Sequence, residues 1–302
     1  MSYRIRPGKP LTREVVRIAE IQYRSAIDIL RRQPDGPYQA IHDARKRFKR
    51  LRGLLRLIRG AAPEFSAREN ARLRDVAATL SAVRDATALV EALDHLLASG
   101  AAGENRPALT AIRARLAAHR DRIATEETDL EARITAAIAT CQDGIEALAD
   151  LRLPRSRKKA VAVLAKGTAR NYGKAVSALE TAVETGEAAD WHDLRKHIKY
   201  HRMHVQLLSR TWPGEMALRA ATAGLAGEAL GDAHDLDTLK TLIATDPDTV
   251  GGEAEIAALR VCMITRSTRL HDEVRKTVRN LLRDAPDVFE AHIAALWRDA
   301  AG

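Results

Sequence analysis

His42-Asp43-Ala44-Arg45-Lys46-Arg47-Phe48-Lys49-Arg50-Leu51-Arg52 returns 150 residues later as His192-Asp193-Leu194-Arg195-Lys196-His197-Ile198-Lys199-Tyr200-His201-Arg202. Both strings reduce to H-D-x-R-K-x-x-K-x-x-R. The matched positions are the polar ones, whereas a repeat kept only for packing matches its apolar positions first. Two copies of one cationic string point to a positively charged surface built for an anion.

The correspondence runs outward from the motif without a gap. Pro63 and Pro213, Leu80 and Leu230, Asp85 and Asp235, and Leu89 and Leu239 all keep the same offset. Such a run indicates duplication of a half-chain unit. Strand alternation is absent, and the spacing of apolar residues predicts helices over 11–32, 39–60, 66–98, 106–149, 158–184, 191–211, 215–244 and 253–284, with a short ninth over 287–299. Pro34-Asp35-Gly36-Pro37, Ser99-Gly100-Ala101-Ala102-Gly103 and Trp212-Pro213-Gly214 carry ordinary stop signals. Four helices per half with short connections predict an all-α protein of two antiparallel four-helix bundles, residues 1–152 and 153–302.

On a helix of roughly 100° per residue, His42, Arg45, Lys46, Lys49, Arg52 and Arg56 share about a third of the circumference. Ala44, Phe48, Leu51, Leu55 and Ile58 lie opposite. The second copy places His192, Arg195, Lys196, Lys199 and Arg202 together, with Gln206 where the first copy has Arg56. A solvated face interleaves acid with base, because like charges at i,i+4 repel. These stripes hold almost no acid beyond Asp43 and Asp193, and Asp43 is expected at a first helical turn where the helix dipole favours it. Arg forks fit phosphate oxygens in pairs, and Lys supplies a mobile point charge. A ridge of such residues suits a linear polyanion better than one phosphate, and no Gly-rich phosphate loop occurs. Downstream, Arg84-Asp85 matches His234-Asp235, so Arg84 and His234 are candidates to join the neighbouring stripe.

Weaker basic rows are candidates for additional lining of a shared channel. Arg17 and Arg24 lie on the first helix, and Lys166, Arg170 and Lys174 on the fifth. Arg115, His119 and Arg122 lie on the fourth, and Arg266, Arg269 and Lys276 on the eighth. His197, His201 and His204 have a spacing that suits zinc, but they fall away from the basic stripe and are not duplicated.

Composition narrows the classes. The 302 residues carry 49 Lys and Arg against 40 Asp and Glu, a net charge of +9, and only 4% aromatics, which leaves little for base stacking. Cys141 and Cys262 are far apart, which fits a reducing cytosol. Neither a signal peptide nor a stretch approaching a membrane span is expected, so no membrane partner is foreseen. No catalytic constellation and no cofactor is evident, so a non-enzymatic protein is expected.

The paired His-x-x-Arg-Lys-x-x-Lys-x-x-Arg helices, with Leu80-x-x-x-Arg84-Asp85 and Leu230-Gly-Asp-Ala-His234-Asp235, resemble the CHAD family, the conserved histidine α-helical domain. The resemblance spans essentially the whole chain. It implies bundles related by a pseudo-two-fold axis and a basic surface or pore that binds long-chain inorganic polyphosphate, in association with polyphosphate granules and their proteins in the cytoplasm. The ligand residues it implies are His42, Arg45, Lys46, Lys49, Arg52 and Arg84 from one half. His192, Arg195, Lys196, Lys199, Arg202 and His234 come from the other. Many members carry a CYTH triphosphatase domain marked by E-x-E-x-K. Here Glu253-Ala-Glu255-Ile-Ala257 lacks the Lys, so a member without that domain is expected. The competing readings are a nucleic-acid backbone binder, disfavoured by the scarcity of aromatics, and a histidine metal site.

Overall fold

Proline and glycine set many of the helix boundaries. Pro37, Pro63 and Pro213 occupy first-turn positions, where the missing N–H costs nothing. Gly186 closes a long helix in the left-handed region at φ 69°, the role for which glycine is suited. The protein, a computed structural model, is described over residues 3–80, 82–126 and 128–300, with the side chains of residues 82–85 outside that description. Its elements are α1 (Leu11–Arg32), α2 (Pro37–Ile58), α3 (Pro63–Thr79), α4 (Ala82–Ala98), α5 (Arg106–Glu126) and α6 (Leu130–Ala147). They continue with α7 (Arg157–Thr185), α8 (Ala188–Leu207), α9 (Pro213–Thr245), the single turn α10 (Pro247–Val250), α11 (Glu253–Leu281) and α12 (Pro286–Ala300). The described residues form helices and their connections, as the apolar spacing indicates.

Two of the expected helices are interrupted. The stretch read as 66–98 divides into α3 and α4, and that read as 106–149 divides into α5 and α6. At the first break the guanidinium of Arg45 supplies the reason. Its Nη1 donates to Ala77 O at 2.6 Å and to Leu80 O at 3.4 Å, satisfying carbonyls that a continuing helix would have used. In the second half α9 runs unbroken through the equivalent position, with Leu230 buried inside it.

The helices build two apolar clusters. The larger joins α1, α2, α3, α6, α7, α8 and α12 to the first part of α9 and the last part of α11. The smaller is built by Leu93 and Leu96 of α4, Leu109, Ile112 and Leu116 of α5, and Leu236, Leu239, Leu259 and Leu270 of α9 and α11. The α4–α5 hairpin therefore shares its core with helices of the second half. Burial of this apolar surface is the main favourable term in folding.

At the N-terminal end of α1 the fully buried Glu14 receives Arg6 at 2.5 Å and Arg17 at 2.8 Å. Burial alone would raise its carboxyl, but the bonds from Arg6 and Arg17 prevail and lower it to about 2. Ile5 N donates to Leu207 O at 2.8 Å, tying the segment before α1 to the end of α8.

Candidate functional site

Helices α2 and α8 carry the two cationic strings, and they cross. Gly53 makes the crossing close: a Cβ there would stand 2.7 Å from Met203 Sδ and 3.1 Å from Met203 Cβ. His204 Nε2 meets Gly53 O at 3.1 Å, and the Arg56 guanidinium lies over the Tyr200 ring at 4.2 Å. Arg56 thus serves the contact between the helices. The apolar residues of each helix face the core, so the strings stay on the open side, as their angular positions require.

The strings act on one another. Lys199 is pushed down to about 7 by burial first, then by Arg195 of its own helix and Lys49 of α2, with a smaller push from Arg202 and an opposing pull from Asp235. Lys49 and Lys199 hold equivalent positions in the two copies. Arg195 is likewise lowered by burial, with Asp235 opposing. Arg50 is lowered by burial and by its neighbours Arg47 and Arg202. Cations crowd here with few carboxylates among them, an arrangement that an incoming anion relieves.

Helix α9 makes room for the α8 string. Gly224, Gly227 and Gly231 lie along one side of it, and their missing side chains would stand within 3.2 Å of Arg202 Cζ, 3.7 Å of Lys199 Cγ and 3.7 Å of Arg195 Nη2. This row went unread in the sequence, although its i, i+3, i+7 spacing was the available signal. The first copy holds its arginines differently: Arg45 caps α3, and Arg52 Nε donates to Asn70 Oδ1 at 2.9 Å.

His234 of α9 lies beside His192 of the α8 string. Its Nδ1 lies 3.1 Å from His192 Nδ1. Burial, then Arg195 and His192, lower His234 to about 4, and burial with Arg195 and Lys196 lowers His192, so both rings are neutral near pH 7. A groove of about 590 Å³ runs on from this pair between Leu89, Ala188, Asp237 and Thr241. Arg84 and Asp85 lie outside the described side chains.

Asp43 and Asp193 are not at first helical turns, because α2 and α8 begin at Pro37 and Ala188. Each instead pairs with the lysine three residues on: Lys46 with Asp43 at 2.9 Å, and Lys196 with Asp193. Lys46 and Lys196 are thereby matched by carboxylates.

Most of the weaker basic rows are spread over other surfaces. Arg17 pairs with Glu14 and Arg24 with Glu20, beside a cleft between α1, α2 and α6. Arg115 bridges Val250 O at 2.8 Å and Glu255 at 2.6 Å, His119 meets Arg122 at 2.8 Å, and Arg266 meets Asp232 at 3.4 Å. Lys166, Arg170, Lys174, Arg269 and Lys276 are exposed on α7 and α11.

The three closely spaced histidines have separate structural partners. His197 Nδ1 meets Asn171 Oδ1 at 3.1 Å, His204 meets Gly53, and His201 packs against the stacked rings of Tyr172 and Phe289. Burial lowers His201 and His204 to about 3, which keeps both rings neutral. Among the described residues no group of three or more His, Cys, Asp or Glu is placed to hold a metal ion, and no helix is long and apolar enough to cross a membrane.

A family model described as the CHAD domain matches residues 18–244. Among solved structures, the fold is similar to the CHAD domain from the plant Ricinus communis, with a TM-score of 0.65 and 18% identity over 93% of this chain and 95% of that one. It is also similar to PptA from Streptomyces chartreusis, with a TM-score of 0.62 and 21% identity over 91% of this chain and 100% of that one. No curated protein matches the sequence.

Proposed function

The chain belongs to the CHAD domain family, and from that premise we propose that it binds long-chain inorganic polyphosphate without transforming it. The observation that carries this reading is the close crossing of α2 and α8 at Gly53 and Met203, which brings the two strings together, so that Lys49 of one acts on Lys199 of the other beside Arg195 and Arg202. A single phosphate needs one pocket. Two adjoining ridges of Arg, Lys and His offer a run of charges to a linear polyanion, with Arg forks holding successive oxygens.

In this reading residues 1–152 and 153–302 are the two duplicated halves, related by a pseudo-two-fold axis that passes near Gly53 and Met203. The ligand lies along His42, Arg45, Lys46, Lys49 and Arg52 on one side, and along His192, Arg195, Lys196, Lys199 and Arg202 on the other. His234 flanks the run, and Arg84 is its sequence counterpart in the first copy. Association with polyphosphate granules in the cytoplasm follows from the ligand.

The test is retention on immobilised long-chain polyphosphate. Wild type should be retained, and retention should fall steeply with salt, by analogy with phosphate-backbone recognition in nucleic acids. The double substitution Lys49→Glu with Lys199→Glu should abolish it. A fully retained double variant would overturn the site. In competition at fixed salt, a preference for RNA or DNA over polyphosphate would overturn the ligand in favour of a nucleic-acid backbone.

A further inference from the structure

Lys199 differs from Lys46 and Lys196 in its surroundings. Lys46 and Lys196 each have an aspartate three residues earlier. Lys199 is half-buried, with the cations Arg195 and Arg202 of its own helix and Lys49 of α2 acting on it, and with the neutral His234 of α9 close by. The carboxylate that acts on it is Asp235, which also serves Arg195. Helix α9 packs against Lys199 at Gly227, where an added Cβ would lie in ordinary contact with Lys199 Cγ at 3.7 Å. An amine crowded by like charges and partly desolvated favours its neutral, nucleophilic form, the arrangement by which a lysine is activated for covalent chemistry.

We propose that Lys199 is a site of covalent acylation by acyl phosphates, and that this modification regulates the anion-binding surface. The proposal rests on the polyphosphate reading for its regulatory consequence. The guanidiniums of Arg195 and Arg202 are placed to hold the phosphate end of the reagent, which is itself an anion of the kind the surface attracts. The lone pair on Lys199 Nζ attacks the acyl carbon, and the acyl C–O bond to phosphate breaks. Inorganic phosphate leaves with that electron pair, and the surplus proton on nitrogen passes to solvent. The product amide is neutral, so the surface loses one cation and gains the bulk of the acyl group. Bound polyanion favours the ammonium form of Lys199 and covers it, so ligand and modification exclude one another.

The experiment treats the full chain with acetyl phosphate and follows acetylation of each lysine by mass spectrometry, with and without long-chain polyphosphate, between pH 6 and 9. Lys199 should react about tenfold or more faster than the more exposed Lys196 at pH 7, because an ordinary lysine there is almost wholly protonated. Its rate should level off above pH 7. Polyphosphate should suppress reaction at Lys199, and the acetylated protein should be retained less on polyphosphate. Reaction at Lys199 no faster than at Lys196 overturns the proposal, whatever the protein's retention on polyphosphate. Fast reaction without protection by polyphosphate upholds the activated lysine and overturns the polyphosphate reading instead.

Discussion

Gly53 and Met203 are separated by the same 150 residues as the two cationic strings, and they touch each other where α2 crosses α8. If the two halves are related as proposed, positions that are equivalent and meet one another lie near their pseudo-two-fold axis. The closeness of this contact keeps Lys49 and Lys199 in one another's field. Gly53→Ala places a methyl 2.7 Å from the movable Met203 Sδ and 3.1 Å from the less movable Cβ. The variant should lose about 1–2 kcal/mol of stability, as overpacked contacts do. Urea denaturation of Gly53→Ala, alone and with Met203→Ala, measures this. The second substitution should recover part of the loss.

Polyphosphate binding should take up protons. Free Lys199 is lowered to about 7 by burial and by Arg195 and Lys49, and a bound polyanion restores its preference for the ammonium form. Above pH 7 the ligand must therefore bring a proton with it, and affinity should fall as pH rises, by up to about tenfold per unit for one proton. Calorimetric titration in buffers of different ionisation enthalpy should show uptake growing from near zero at pH 6 toward one proton at pH 8. Binding that does not vary over this interval would contradict the assignment.

The same lysine should cost the free protein stability. The unfolded chain holds this proton up to about 10.5, whereas the folded chain releases it near 7. Between those values the unfolded state binds more protons, so the wild-type fold gains stability as pH rises across the window. Lys199→Met should remove that pH dependence, raise the melting temperature at pH 7 by about 2 °C, and weaken polyphosphate retention. Thermal melts of both proteins at pH 7 and pH 9.5 supply the comparison.

Two glycines of α7 should respond in opposite directions to alanine. A Cβ on Gly167 would stand 1.9 Å from the backbone oxygen of Leu57, so α2 and α7 must part to admit it. The expected cost is about 3 kcal/mol or more. Gly173 meets only Pro286, at 3.5 Å, an ordinary contact. There alanine should stabilise the helix by up to about 1 kcal/mol through its higher propensity. Denaturant midpoints of the two single variants test the pair.

Much of the fold was legible because its punctuation is chemical. Pro37, Pro63, Pro213 and Gly186 mark their helix ends in any context. The break between Thr79 and Ala82 has no glycine or proline. It depends on a guanidinium arriving from α2, and no local pattern reports that. Leu80 and Leu230 show the limit clearly: they are matched in sequence, yet one closes α3 and the other lies within α9.

The strings themselves were readable from the angular position of each charge. Their mutual placement was not, since it is fixed by the α2–α8 crossing at a residue with no side chain. The aspartates show how a local rule yields to geometry. A first-turn role depends on where the helix starts, and α2 starts at Pro37, well before Asp43. His197, His201 and His204 share a zinc-like spacing, but Asn171, Phe289 and Gly53 claim them separately from three other helices or connections.

The α4–α5 hairpin has a consequence for how the chain comes apart. Leu93, Leu96, Leu109 and Ile112 belong to the first half of the chain but are covered by α9 and α11 of the second. Neither half can melt while the other keeps all of its apolar contacts. Local openings of the kind that let many two-part proteins unfold in stages are suppressed at this seam. Unfolding is thereby made a single cooperative event across both halves, and the cationic surface carried by α2 and α8 is lost in one step rather than eroded from either end.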